Sequence, residues 1–478
     1  MRNIFHFLCF CLCQVLEGGI DMIGLKNISY SYSKENQIVK NINIKIQDGE
    51  CVLLSGRSGC GKTTVGRIIN NLIPRFFENG IMTGDVYIND KNTNEFEMYE
   101  LSNLIGTVFQ NPKAQFFHTN SDAEIVFGLE NRGMKSEEIV KRYNEVIDEL
   151  NIQKLTNRSM FSMSGGEKQI IAFASMYAMN PQVYVLDEPT ANIDKTTILK
   201  VREIIDKLKK TGHTIIICEH RLYFLKDLVD RVLYVDQGAV KQTFSGHEFF
   251  RLDDKTRIAM GLRTLDVPKL KNISKYDISN NSLKIENLSC GYDEKNVFEN
   301  INLSVNAGEI LGITGNNGVG KTTLVRCIAG LHKQSEGQIT LNGKVINSKK
   351  RQMLSSMVMQ DVNCQLFTDS LIEECRLGNN CNDEQIEEVL NELGLINIKD
   401  LHPMVLSGGQ KQRLVVANAV LSDKQIFIFD EPTSGLDYEG MIVVSSELKN
   451  LSKKGYYIFI VSHDIEFINE TCDRVYDF

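Results

Sequence analysis

The chain of 478 residues contains no run that stays apolar for the roughly 20 positions a membrane-spanning helix needs. Residues 4–16 are apolar but too few, and His6 interrupts them. A basic surplus is lacking too. There are 53 Lys and Arg against 61 Asp and Glu, and the net charge of −8 offers no electrostatic footprint for nucleic acid. None of the 12 cysteines forms a C-x-x-C pair, which argues for reduced thiols rather than a disulfide framework and against paired-cysteine zinc sites. Cys9, Cys11 and Cys13 are the only cluster, and they lie in an apolar terminal segment.

The length suffices for about three domains. What fills it is one stretch carried twice. Gly56-Arg57-Ser58-Gly59-Cys60-Gly61-Lys62-Thr63-Thr64 and Gly315-Asn316-Asn317-Gly318-Val319-Gly320-Lys321-Thr322-Thr323 both match G-x-x-x-x-G-K-[ST], a phosphate-binding loop. Gly56, Gly59, Gly61, Gly315, Gly318 and Gly320 allow the tight turn that aims successive amides, with Ser58 and Asn317 among them, at phosphate oxygens. The lysine supplies a point charge, the first threonine a ligand for Mg²⁺, and the following helix the positive end of its dipole. Each loop follows an apolar run, Cys51 to Leu54 or Ile310 to Ile313. Lys62 and Lys321 stand 259 residues apart, which points to an internal duplication.

The duplication also bears on where the fold starts. Met22 to Ser29 parallels Ser282 to Ser289, so the first domain is expected to start at Met22. Arg2 before an apolar run gives the outline of a signal peptide. The preferred expectation is different: residues 1–21 are a translated leader absent from the natural protein, since Glu17-Gly18-Gly19 can be encoded by a purine-rich ribosome-binding site.

Alternating segments at residues 28–32, 42–46 and 84–89 predict an antiparallel β layer beside an α/β core. Tyr32 and Tyr292 precede their loops at similar distances and present aromatic faces on which adenine can stack. Residues 137–150 carry Ile139, Val140, Tyr143, Val146, Ile147 and Leu150 at helical spacing, a packing face. Ser164 and Glu167 form a capping box, yet Gly165 and Gly166 weaken the helix they open; exposed amides for a phosphate would account for them. Val183 to Leu186 is a buried strand ending in Asp187 and Glu188, the first placed for Mg²⁺ and the second to polarise a water. A further apolar strand ends at His220.

In this order the motifs resemble the nucleotide-binding domain of ABC ATPases. The phosphate loop, Q-loop, signature, magnesium strand with its glutamate, D-loop and switch histidine correspond in the first half to Lys62, Gln110, Ser164-Gly165-Gly166, Asp187 with Glu188, Asp194 and His220. In the second half they are Lys321, Gln360, Ser407-Gly408-Gly409, Asp430 with Glu431, Asp437 and His463. The last four elements of the two sets share one offset of 243 residues. The resemblance implies an α/β fold of two tandem P-loop NTPase domains, each an α/β core with an antiparallel β layer and a helical subdomain. It places a first domain at 22–240, a connector at 241–281 and a second domain at 282–478.

The same resemblance implies ATP and Mg²⁺ as cofactors. Thr63, Gln110, Asp187, Thr322, Gln360 and Asp430 would ligate the metal, and Thr64 and Thr323 would assist in nucleotide binding. Glu188, Glu431, His220 and His463 would be catalytic. Two ATP sites would form head to tail, Lys62 facing Ser407-Gly408-Gly409 and Lys321 facing Ser164-Gly165-Gly166.

Gln110-Asn111-Pro112 with Gln115-Phe116, and Gln360 with Gln365-Leu366-Phe367, resemble the Q-loops of energy-coupling-factor ATPases. Those power importers of vitamins and transition-metal ions from the cytoplasmic face of the membrane. The expected partners are a transmembrane coupling protein and a substrate-binding membrane protein, met around residues 110–130 and 360–376, with no nucleic acid. The second copy lacks Asn-Pro after Gln360. The alternative is a soluble tandem ABC ATPase acting on ribosomes. Such proteins carry a long, strongly charged connector, whereas residues 241–281 hold eight Lys and Arg against five Asp and Glu.

Overall fold

A computed structural model describes residues 21–33, 36–77, 80–191, 193–271, 281–292 and 295–478. The expected leader (apart from Asp21), Asn192 and the Tyr292 side chain lie outside the described residues. The chain divides into two compact units. One holds the described residues up to Thr190 together with Thr197–Leu265; the other holds Ala191–Thr196 with Asp266–Phe478.

Each unit has two sheets. In the first, β1 (Asp21–Ser33) and β2 (Asn36–Gln47) pair antiparallel, and β4 (Ile81–Ile88) and the short β5 (Lys91–Asn92) extend the layer in the order β2-β1-β4-β5. Their alternating sequence puts Ile23, Leu25, Ile28, Ile42, Ile44 and Ile46 inward. The second sheet contains β3 (Cys51–Ser55), β6 (Ile105–Val108), β7 (Val183–Asp187), β8 (Thr214–Cys218), β9 (Arg231–Asp236) and β10 (Ala239–Ser245), ordered β10-β9-β3-β8-β7-β6. All its neighbours are parallel except β10 on β9. β3, β7 and β8 are buried at all five positions, the reason their sequences are apolar runs rather than alternations.

The second unit repeats this plan. β11 (Ser282–Tyr292), β12 (Lys295–Asn306), β14 (Glu336–Leu341) and β15 (Lys344–Val345) form the antiparallel layer. The parallel sheet runs β16-β17-β18-β13-β19, from β13 (Ile310–Thr314), β16 (Ser355–Val358), β17 (Ile426–Asp430), β18 (Tyr457–Val461) and β19 (Arg474–Asp477). Among the described residues no helix is long and apolar enough to cross a membrane.

Two sequence expectations need correction. Val140 is exposed rather than packed, because it sits at the rim of the apolar face of helix Ser136–Leu150, near the helix start. In the connector, Phe249-Phe250 and Ile258-Ala259-Met260 read from the sequence as short helices packing on the core; the two phenylalanines are buried, but Ile258, on helix Asp254–Ala259, is exposed. Arg257 is the buried side chain of that helix, donating to the Leu262 carbonyl and pairing with Asp254.

Glu447, buried on helix Tyr438–Lys453, is the outlying acid of the second unit. Burial first, and then the neighbouring Glu392 carboxylate, push its pKa from the ordinary 4.5 to about 7. An acid raised on folding is penalised once ionised, so stability is whole below about pH 4.5 and falls as pH rises through about 7. Glu447→Gln is expected to stabilise the chain by about 1–3 kcal/mol at pH 8 and by little at pH 5, read as thermal unfolding midpoints at the two pH values.

Candidate functional site

The carboxyl ends of the parallel strands carry the chemistry in both units. β3 runs into the first phosphate loop and on into helix Lys62–Ile69. Lys62 is buried, its Nζ donating to the carbonyls of Gly56 and Arg57, each at 2.9 Å. Thr63 Oγ1 donates to Asp187 Oδ1 at 2.8 Å, joining the loop to the end of β7. In the second unit Lys321 Nζ donates to Gly315 and Asn316 at 2.8 and 2.7 Å, and Thr322 Oγ1 to Asp430 Oδ2 at 3.0 Å. Thr64 and Thr323 are buried one position further along. Burial raises the pKa of Asp187 and Asp430, and the threonine hydroxyl pulls each back.

Glu188 and Glu431 follow at once, with φ of 44° and 53°. A non-glycine residue in this left-handed region costs on the order of 1 kcal/mol. Glu188 Oε2 accepts from Gln110 Nε2 at 2.7 Å, and His220 Nε2 lies 3.9 Å from Oε1. Burial, then the charges of Asp187 and Glu219, hold the Glu188 carboxyl well above the usual range. Burial, then the charges of Lys62 and Arg263, hold His220 well below its own. Glu431 accepts from Ser462 Oγ and the His463 backbone N–H, both at 3.0 Å. His463 Nε2 stands 3.7 Å from Glu431 Oε1 and 2.8 Å from Asn317 Oδ1. Gln360 is exposed.

Ser164 and Ser407 each cap a helix, accepting from the amides of Glu167 and Gln410, whose side chains accept in return from the serine amides. Gly165 and Gly166 were expected to serve exposed amides, and Gly165 is exposed. Gly408 does stand in open space. The second glycine of each pair has a packing reason instead: a Cβ on Gly166 would fall 2.7 Å from Thr197 Oγ1, and one on Gly409 2.9 Å from a Leu436 methyl. Tyr32 is 39 % exposed, edge-on to Tyr30 and Phe77, with its hydroxyl 3.5 Å from Thr64 Oγ1, so a ring face is available beside the loop.

Three roles were not read from the sequence. Gln115 and Gln365 accept, through Oε1, the backbone N–H of the residues before Gln110 and Gln360. Glu124 and Glu374 are buried and accept the amides of residues 117–118 and 367–368. The shared 250-residue offset of both pairs was the available signal. Glu219 is the third.

The donor set fits a nucleoside triphosphate with Mg²⁺. Each unit offers a hydroxyl and a carboxylate oxygen in contact, suited to a hard cation, and a buried lysine within the same loop. Gly59 and Gly318, at φ of 74° and 81°, adopt a backbone conformation that favours glycine and have nothing within 4 Å of a would-be Cβ.

The family profile described as ABC transporter matches residues 39–191 and again 298–434. The chain belongs to this family. It is an ABC ATPase of two fused domains, and such domains bind ATP with Mg²⁺. An ABC transporter ATP-binding protein of Treponema denticola is 46 % identical over 465 residues, covering 95 % of this chain and 94 % of its own. One from Bacillus cereus is 31 % identical over 501 residues, covering 95 % and 88 %. The solved structure titled RNase-L Inhibitor shares the fold, with a TM-score of 0.63, 21 % identity, and coverage of 95 % of this chain and 87 % of that one.

Within this ABC ATPase, Glu374 collects the amides of Phe367 and Thr368 and the Thr368 hydroxyl on one carboxylate oxygen. Glu374→Gln keeps the shape but loses the charge of that acceptor. It is expected to lower stability by about 1–3 kcal/mol, measured by denaturant unfolding.

Proposed function

We propose that this chain is the ATP-hydrolysing subunit of an importer of the energy-coupling-factor type, carrying a vitamin or metal ion through separate membrane proteins and working at the cytoplasmic face of the membrane. The observation that carries the reading is the pair of exposed phenylalanines after the Q-loops. Phe117 and Phe367 are 75 % and 73 % exposed, each on a backbone pinned by a buried glutamate. Phe161 and Met404, three residues before the two signature serines, are exposed as well. Rigidly presented apolar side chains suit a partner that brings its own apolar surface. The relatives' description as ABC transporter ATP-binding proteins supports the same reading.

In this proposal the domains are 22–240 and 282–478 with a connector between, and the two ATP sites are composite. Lys62 and Lys321 hold the outer phosphates, Tyr32 and Tyr292 receive adenine, and Thr63, Asp187, Gln110, Thr322, Asp430 and Gln360 hold the metal directly or through water. The metal neutralises charge on the transferring phosphoryl group. Glu188 and Glu431 orient and deprotonate the attacking water, and a carboxyl whose pKa is raised by burial is suited to take that proton. His220 and His463, beside those acids, orient the γ-phosphate end of the site.

Glu188→Gln and Glu431→Gln together are expected to lower ATP turnover at least about 100-fold while ATP still binds. Full turnover in the double variant sinks the assignment of the base. For the partner, the tagged chain is purified from detergent-solubilised membranes of its host. Multi-span membrane proteins are expected to come with it, and Phe117→Asp with Phe367→Asp to lose them. Ribosomal proteins without membrane proteins would overturn the importer reading and leave the ATPase intact.

A further inference from the structure

The two catalytic corners are built differently, and the difference begins at one residue. β8 ends at Cys218 and runs on into Glu219-His220-Arg221, whereas β18 ends at Val461 and runs on into Ser462-His463-Asp464, each residue 243 positions on. In the second unit the serine serves the catalytic acid. Ser462 Oγ donates to Glu431 Oε2 and the His463 N–H to Oε1, so Glu431 is held from its own strand end. Asp464 Oδ2 meanwhile accepts from Thr433 Oγ1 at 3.0 Å.

In the first unit Glu219 cannot donate, and it takes the other groups for itself. Its Oε1 accepts the N–H of His220 at 2.8 Å and that of Arg221 at 3.0 Å. Its Oε2 accepts Thr190 Oγ1 at 2.7 Å and Thr190 N at 3.2 Å. Thr190 is the counterpart of Thr433, so Glu219 has assumed the task of Asp464 and drawn away the amide whose counterpart holds Glu431. Glu188 is held instead by the side chain of Gln110. Gln360, the counterpart of Gln110, is exposed as Gln110 is, but among the described residues it makes no hydrogen bond to Glu431.

We propose that Glu219 is a positioning residue that hands the orientation of Glu188 to Gln110, so that hydrolysis by the first half depends on its Q-loop while hydrolysis by the second half is set by Ser462 and His463. A partner that moves residues 110–117 then throttles one acid and leaves the other in place. The proposal rests on the reading of Glu188 and Glu431 as the catalytic acids.

The test is steady-state phosphate release by the full chain. Gln110→Ala is expected to lower kcat about tenfold more than Gln360→Ala, with KM for ATP moved less than about threefold, since the lost bond is charge-assisted and acts through Glu188. Glu219→Ser with Arg221→Asp gives the first half the second half's strand end. In that background the gap between the two alanine variants is expected to close to about threefold or less. Equal losses from Gln110→Ala and Gln360→Ala overturn the proposal, as does a gap that persists in the exchanged background. Should the exchange unfold the chain, Ser462→Ala serves from the other side: it is expected to make kcat sensitive to Gln360→Ala by about tenfold, and insensitivity counts against the proposal. Glu188→Gln and Glu431→Gln run as controls. If they retain full turnover, the assignment of the acids has failed rather than the role of Glu219.

Discussion

A carboxylate buried at the end of a parallel strand, held by a threonine hydroxyl from the neighbouring phosphate loop, is the constraint on which each half depends. Asp187 with Thr63 and Asp430 with Thr322 are that contact. Burying a carboxylate costs several kcal/mol unless it is hydrogen-bonded, so the strand cannot end there without the loop, nor the loop settle without the strand. The contact also brings a hydroxyl, a carboxylate and a lysine into one corner, the set a metal-bound triphosphate requires. The apolar runs of β3, β7 and β8, buried at every position, hold that corner in place.

Around this shared contact the halves diverge. The antiparallel layers and the order of the parallel strands correspond, with β10 added at the edge of the first sheet. The loops after the Q-loop are pinned alike, by Glu124 and Glu374. Glu188 and Glu431, one residue beyond Asp187 and Asp430, are not held alike. Glu431 is bonded from the two residues that follow β18 and Glu188 from a loop side chain. The duplication keeps the threonine–carboxylate contact and alters the hydrogen bonds beside it.

Most of the fold was legible in the sequence because its elements follow local rules. Alternating segments became the antiparallel layer, continuous apolar runs became parallel strands, and the capping box formed at Ser164. Reading failed where a neighbour decided. Val140 has helical spacing but is exposed at the rim of its helix's apolar face, and a side chain on Gly166 would meet Thr197. Periodicity shows neither how far a packing face extends nor what lies against it.

By itself the sequence determined the two phosphate loops, the acids that end the strands, the duplication and membership of the ABC family. Each of these rests on residue types at fixed short spacing, where the backbone's geometry does the rest. Tertiary structure alone decided what holds Glu188 and Glu431. Glu219 reaches Thr190 across 29 residues because β7 and β8 pair in parallel with Asp187 opposite Cys218. Gln110 reaches Glu188 across 78 residues because its loop leaves β6 on the other side of β7. A hydrogen bond between neighbouring strands is fixed by their register, and register arises only when the whole sheet is assembled.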